Sequence, residues 1–167
     1  MDGLADLTGG ITESLPMKSD QFNIRPPVLL SLLDCTSIVT CTINTTVSNN
    51  NNNNVSNNNH TTPTGLNPGT NYRLCSLDKA ETLMGDTVQL IRLRDPLADS
   101  SFGQTSGYNG DWSSYSNQWE RVSLQERDRL LGQLDVGEFW MAFVDFITNF
   151  THCLLYTSDA ADDLLCV

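Results

Sequence analysis

GEFWMAFVDFITNFT, residues 137–151, holds four of the chain's six phenylalanines and one of its three tryptophans. Most of the remaining aromatic mass lies in the loop that precedes it. A core must therefore assemble around this stretch. Its pattern changes along its length. Residues 138–141 read as a strand and 143–150 as a helix, with Phe143, Phe146, Ile147 and Phe150 at helical spacing. That stripe reads as core packing.

The rest of the chain must supply walls for this core. PPVLLSLLD, residues 26–34, reads as a short helix whose two prolines suit the first turn. SIVTCTI, residues 37–43, is β-branched and reads as a buried strand. YRLCSLDKAETL and TVQLIRLR read as a strand pair joined by a turn at Gly85-Asp86. In the second strand, Gln89, Ile91, Leu93 and Asp95 share one face, and Val88, Leu90, Arg92 and Arg94 the other. Residues 98–118 are rich in Gly, Ser and Asn and form a loop carrying Tyr108, Trp112 and Tyr115. Ser123 and Glu126 form a capping box, and Gly132 a stop, so 124–131 is a predicted helix.

Between the first strand and the pair lies an Asn-rich tract, residues 44–65. It has too little apolar surface to offset the entropy of ordering, so a disordered surface insertion is expected. The net charge of −11 argues against nucleic acid and against anionic membrane surfaces. No apolar run approaches the ~20 residues that a membrane span needs. MDGLADLTGG has neither the basic start nor the apolar run of a signal peptide, which points to a cytoplasmic protein. Five scattered cysteines (35, 41, 75, 153 and 166) without a C-x-x-C pair suit reduced thiols better than a disulfide frame or a zinc site.

CLLYTSDAADD, residues 153–163, resembles, residue by residue, the translation of a transposase adapter used in sequencing libraries. Residues 153–167 are therefore expected to be an artefact tail. The natural chain is expected to continue differently after residue 152.

Three ordered stretches carry a family likeness: QLIRLRDPL, YNGDWSSYSNQWERVSLQERDRLL and GEFWMAFVDFITNF. Together with DLTGGITES near the start, they resemble the second half of the calpain cysteine-protease core. The family pattern runs R-N-P-W-G, then W-x-G-x-W-S-D, then D-G-E-F-W-M-x-F-x-D-F. The resemblance covers nearly all of residues 5–152. It implies an α+β fold: the mostly antiparallel β half of a papain-like core, with a few short helices. This is a fragment, and the helical half bearing the nucleophilic Cys would lie upstream of Met1. That half is then the expected partner of this one.

The same resemblance locates the chemistry. Such a site needs a His to draw the thiol proton and a neutral amide to orient the imidazole. The family's His position falls on Thr70, or on Asn71 with a one-residue slip. Neither side chain is a base near neutral pH. The orienting Asn position holds Asp95, which reads as a turn former with Pro96. Leu97 stands at the family's Trp. The two histidines, His60 in the Asn-rich tract and His152, fit neither role. The resemblance also implies a calcium site, which requires several hard oxygen ligands. Its acidic positions fall on Gly107, Ser114, Val136 and Glu138. Only Glu138 keeps its carboxylate, with Asp135 one position early and a backbone carbonyl near Leu134. No catalytic set, no metal and no cofactor is expected. The expected role is a non-proteolytic binding or regulatory scaffold. The alternative is part of an active, intracellular, calcium-dependent cysteine endopeptidase. A third possibility is a fragment that does not fold alone, since its sheet would expose a face meant for the missing half.

Overall fold

A computed structural model describes residues 11–17, 25–34, 38–43, 62–98 and 107–157. The Asn-rich tract up to residue 61, with His60, lies outside them, as do Cys35, Cys166 and residues 158–167. In chain order the elements are β1 (Ile11–Pro16), α1 (Pro26–Asp34), β2 (Ile38–Thr42), β3 (Asn71–Glu81) and β4 (Thr87–Arg94). A 3₁₀ turn (Asn117–Arg121), α2 (Leu124–Leu131), β5 (Glu138–Ala142), α3 (Phe143–Asn149) and β6 (His152–Thr157) follow. The six strands form one sheet in the order β1-β6-β2-β3-β4-β5. Every neighbouring pair is antiparallel. This is the expected α+β class.

Strand alternation divides the core between the two faces of the sheet. Cys41, Tyr72, Leu74, Ile91, Leu93, Phe139, Met141, Cys153 and Leu155 form one face, packed with Leu29 of α1 and Phe143 and Phe146 of α3. Phe150 belongs to the same cluster, and Tyr72 meets Phe139 and Phe150 edge to face at 6.1 and 5.6 Å. The helical stripe read in the sequence is thus core. Ala80, Leu90 and Trp140 form the other face, under Trp112, Trp119, Val122 and Leu130.

The helix caps follow from local sequence. Ser123 Oγ accepts from the amide of Glu126 at 3.2 Å and starts α2. Gly132 ends it with φ −67°, right-handed rather than the left-handed conformation common at such stops. α2 is tied to β3 by Arg129, whose guanidinium donates to Asp78 Oδ2 at 2.7 Å and to Glu126 Oε1 at 2.8 Å. Burial alone would raise the Asp78 carboxyl, but bonds from Arg129, the Lys79 amide and Gln133 outweigh it and hold the carboxyl below its usual range. A depressed carboxyl contributes stability above its unfolded value of about 3.9. That contribution is lost as pH falls through the lower folded value. Arg129 is 43% exposed, so the network is worth less than about 1 kcal/mol. Arg129→Ala is therefore expected to lower the urea midpoint slightly near neutrality. The difference from wild type should close in acid below the Asp78 transition. A difference that stays constant across that range would contradict the assignment.

β1 and β6 were not read from the sequence. The boundary expected after residue 152 falls one residue into β6, which lies between β1 and β2. Cys153 and Leu155 of this strand are buried. The slot requires apolar residues at alternate positions, and CLLYT meets that requirement whatever its origin. Cys41 and Cys153 face each other in register, and burial pushes the Cys41 thiol well above its ordinary value. Cys41, Cys75 and Cys153 are free thiols in the described residues. Among the described residues, no helix is long and apolar enough to cross a membrane.

Candidate functional site

The pairing of β3 with β4 brings the two expected catalytic positions to one corner. Arg73 stands opposite Arg94, so the residues before β3 and after β4 share one end of the sheet. Thr70 lies just before β3, half-buried, its amide bonded to the Asn67 carbonyl at 3.3 Å. Asn71 opens the strand, and its Oδ1 accepts from Thr42 Oγ1 at 2.6 Å. Asp95 follows β4 and is only 4% exposed. Its Oδ1 accepts from the Leu97 amide at 2.9 Å, while its own amide donates to the Gly137 carbonyl. The Asp-Pro turn is thus formed in the way its sequence suggests. Leu97 is 61% exposed at the tip of that turn.

Tyr72, absent from the sequence-based candidates, organises this corner. Its hydroxyl accepts from the Asn67 amide at 2.8 Å, which fixes the turn leading into β3. Burial raises the Tyr72 phenol, and the nearby Asp95 charge raises it further, against the bond from Asn67. The corner therefore holds a neutral phenol, a buried carboxylate and a threonine, with no imidazole among them.

His152 deserves a geometric answer, because it stands at the same end of the sheet. It pairs with Thr42, which pairs with Asn71 on the other side, so the three residues form a row across β6, β2 and β3. Two strand spacings put His152 roughly 10 Å from Asn71. The pleat also puts it on the face opposite Tyr72, because Cys153, Cys41 and Tyr72 line the core side. His152 and Asp95 are therefore not a dyad. The imidazole lies 3.1 Å from Thr151 Oγ1 instead.

The expected calcium positions are spread over the 107–114 loop and the turn before β5. Gly107 and Val136 carry no side-chain oxygen, and Ser114 offers a neutral hydroxyl. Leu134 is half-buried and packs against the tryptophan cluster, and Asp135 is exposed. The Glu138 side chain is 6% exposed. Its Oε2 accepts from the Asp135 amide at 3.1 Å and lies 3.4 Å from Arg92 Nη1. The same Arg92 nitrogen donates to the Gln133 carbonyl. Among the described residues no three His, Cys, Asp or Glu side chains are grouped as metal ligands would be. This donor set does not fit a divalent cation, because the one retained carboxylate already faces a fixed positive charge. Cys75, at the β3 bulge, is raised to about 11, first by burial and then by the Glu138 carboxylate beside it.

Arg92 was also missed as a functional candidate. The alternation of residues 88–94 placed it on the face shared with Leu90, and a charge on a covered face requires a partner. That was the available signal. The partner became visible only once β5 was placed beside β4.

Comparison of the sequence with known proteins points to one family. The family model described as "Calpain family cysteine protease" matches residues 1–156. The chain is 46% identical to Calpain-C of Drosophila melanogaster over 150 residues, which is 90% of this chain and 21% of that protein. It is 35% identical to Calpain-9 of Rattus norvegicus over 167 residues, 98% of this chain and 22% of that protein. It is 32% identical to the Calpain-1 catalytic subunit of Mus musculus over 150 residues, 90% of this chain and 19% of that protein. The chain thus spans about a fifth of the length of the curated relatives it matches. With its sheet, its corner and its motifs in the family's order, this chain belongs to the calpain family of cysteine proteases.

Proposed function

We propose that this segment is the β-rich half of a calpain-like core that does not cut its targets, and that it serves as a binding or regulatory scaffold in the cytoplasm. One observation carries the reading. At the corner where the family's chemistry requires an imidazole and an orienting amide, Thr70 supplies a hydroxyl, and the Asp95 carboxylate caps the Leu97 amide. Among the described residues, a thiol brought against this corner meets no imidazole, and the one carboxylate there is engaged by the Leu97 amide. The partner of this half is the Cys-bearing half of the same protein, and the nature of further partners follows from the whole chain.

The family match itself favours a second reading, in which the parent is an active calcium-dependent endopeptidase. A peptidase assay separates the two. The full-length parent is incubated with a casein substrate and calcium, beside a Cys→Ala control. No cleavage above the control is expected. Cleavage that disappears in the control overturns the scaffold reading. The double variant Thr70→His with Asp95→Asn then asks whether the corner is the missing part, and activity gained by the pair alone would support the proposal further.

A further inference from the structure

We propose that Arg92 is the resident cation of the 133–138 turn and fixes that turn in one arrangement that calcium does not alter. The inference concerns a different set of side chains from the Thr70–Asp95 corner and does not rest on the scaffold reading.

The turn closes on itself through two amides. Asp135 donates to Glu138 Oε2 at 3.1 Å, and Glu138 donates back to the Asp135 carbonyl at 3.0 Å. That closure buries a carboxylate, and a buried charge persists only beside a counter-charge. Arg92 supplies it at 3.4 Å, and through its bond to the Gln133 carbonyl it grips the start of the turn as well as its end. A planar guanidinium can bridge two such acceptors, whereas an ammonium acts as a point charge.

Arg92 is itself held from below. It stands directly opposite Trp140 across β4 and β5, with its guanidinium carbon 5.8 Å from the ring centroid. Trp140 is fixed in turn by its indole N–H bond to the Leu130 carbonyl at 2.8 Å. On the other side Arg92 faces Ser76 of β3. Arg92 Nε and Ser76 Oγ are buried without a partner, so the hydrogen bonds that Arg92 makes to the protein go to the turn. A hard divalent ion would need Glu138 within about 2.3–2.6 Å. It would then sit against a fixed cation on a carboxylate already engaged by two donors. The charge that a metal would bring is already present and covalently attached.

Amide hydrogen exchange on the full chain tests this, with the Asp135 and Glu138 amides read in millimolar calcium and in excess EGTA. Wild type is expected to show the same protection in both media. Arg92→Met should speed exchange at these two amides several-fold in both media, while the Ile91 and Phe139 amides within the sheet stay protected. If Arg92→Met does not fold, Arg92→Lys carries the test. It keeps the charge but loses the bridge, and the same two amides should exchange faster than in wild type. Calcium-dependent protection of Asp135 or Glu138 in wild type overturns the proposal. So does a soluble Arg92 variant whose turn amides are unchanged. Proteolysis is read separately, so an active parent with calcium-insensitive turn amides would refute the scaffold reading and leave this one standing.

Discussion

Trp140→Ala is expected to lower the stability of this fold by about 3–5 kcal/mol. The side chain is fully buried and is among the largest in the core. It joins β5 to the cluster of Leu90, Trp112, Trp119, Val122 and Leu130. Three losses combine in one substitution: the cavity, the indole bond to the end of α2, and the ring beneath Arg92. Urea denaturation followed by far-ultraviolet circular dichroism reads the effect. Trp140→Phe separates the parts, because it keeps most of the apolar surface and removes the indole bond, while the Leu130 carbonyl still accepts from the Gln133 amide. Loss of that one hydrogen bond should cost about 0.5–1.5 kcal/mol. A Trp140→Ala loss below the Trp140→Phe loss would mean that this face of the sheet is not a packed core.

Gly65→Ala should be nearly as damaging, at about 3 kcal/mol, although the residue lies in a turn. Its φ is +81°, a region that disfavours any side chain. A Cβ there would lie 1.9 Å from the carbonyl oxygen of Gly107 and 2.9 Å from its carbon. Both are backbone atoms, so the clash is relieved only by moving one segment off the other. That movement also breaks the bond from the Asn109 amide to the Thr64 carbonyl. Gly69→Ala is the matched control. Its φ is +80°, but nothing lies within 4 Å of the added carbon. Gly69→Ala should therefore cost only the conformational part, about 1 kcal/mol. Thermal unfolding of both variants checks the comparison, and equal losses would show that the close approach of the two segments contributes nothing.

Local elements were legible where one segment contains its own instructions. The β3–β4 pair shows strand alternation on both sides of Gly85-Asp86, and α2 carries its Ser123 cap. The helical stripe of α3 sits beside a strand pattern of opposite period. β1 escaped because ITESLP has only weak alternation, and its partner lies about 140 residues away in sequence, beyond any local window. β6 escaped because its residues read as a foreign tail. The 3₁₀ turn around the buried Trp119 is capped by Ser116 and held by a bond from the indole N–H to the Ser113 carbonyl, six residues back in the loop.

The site divides in the same way. Thr70 and Asp95 could be placed by motif, and the antiparallel register puts the residues before β3 and after β4 at one end of the sheet. The Asp95 turn was legible because Asp-Pro is a local signal. Tyr72 and Arg92 were not, since each acts on residues brought near by pairing. Tyr72 reads as an ordinary strand aromatic until the Asn67 amide is found on its hydroxyl. Arg92 reads as one of several strand charges until Glu138 arrives beside it from β5.

The place of β6 has a consequence in time. β1 and β2 never bond to each other, because the strand that joins them is the last of the six to be made. A nascent chain that has finished β2 must extend by more than a hundred residues before that edge is closed. At 5–20 residues per second this takes roughly 5–20 s. Throughout that interval one side of β2 presents unpaired backbone, and β1 has no neighbour at all. A chain that ends before any strand fills this slot would leave the β2 edge open to pairing with another chain.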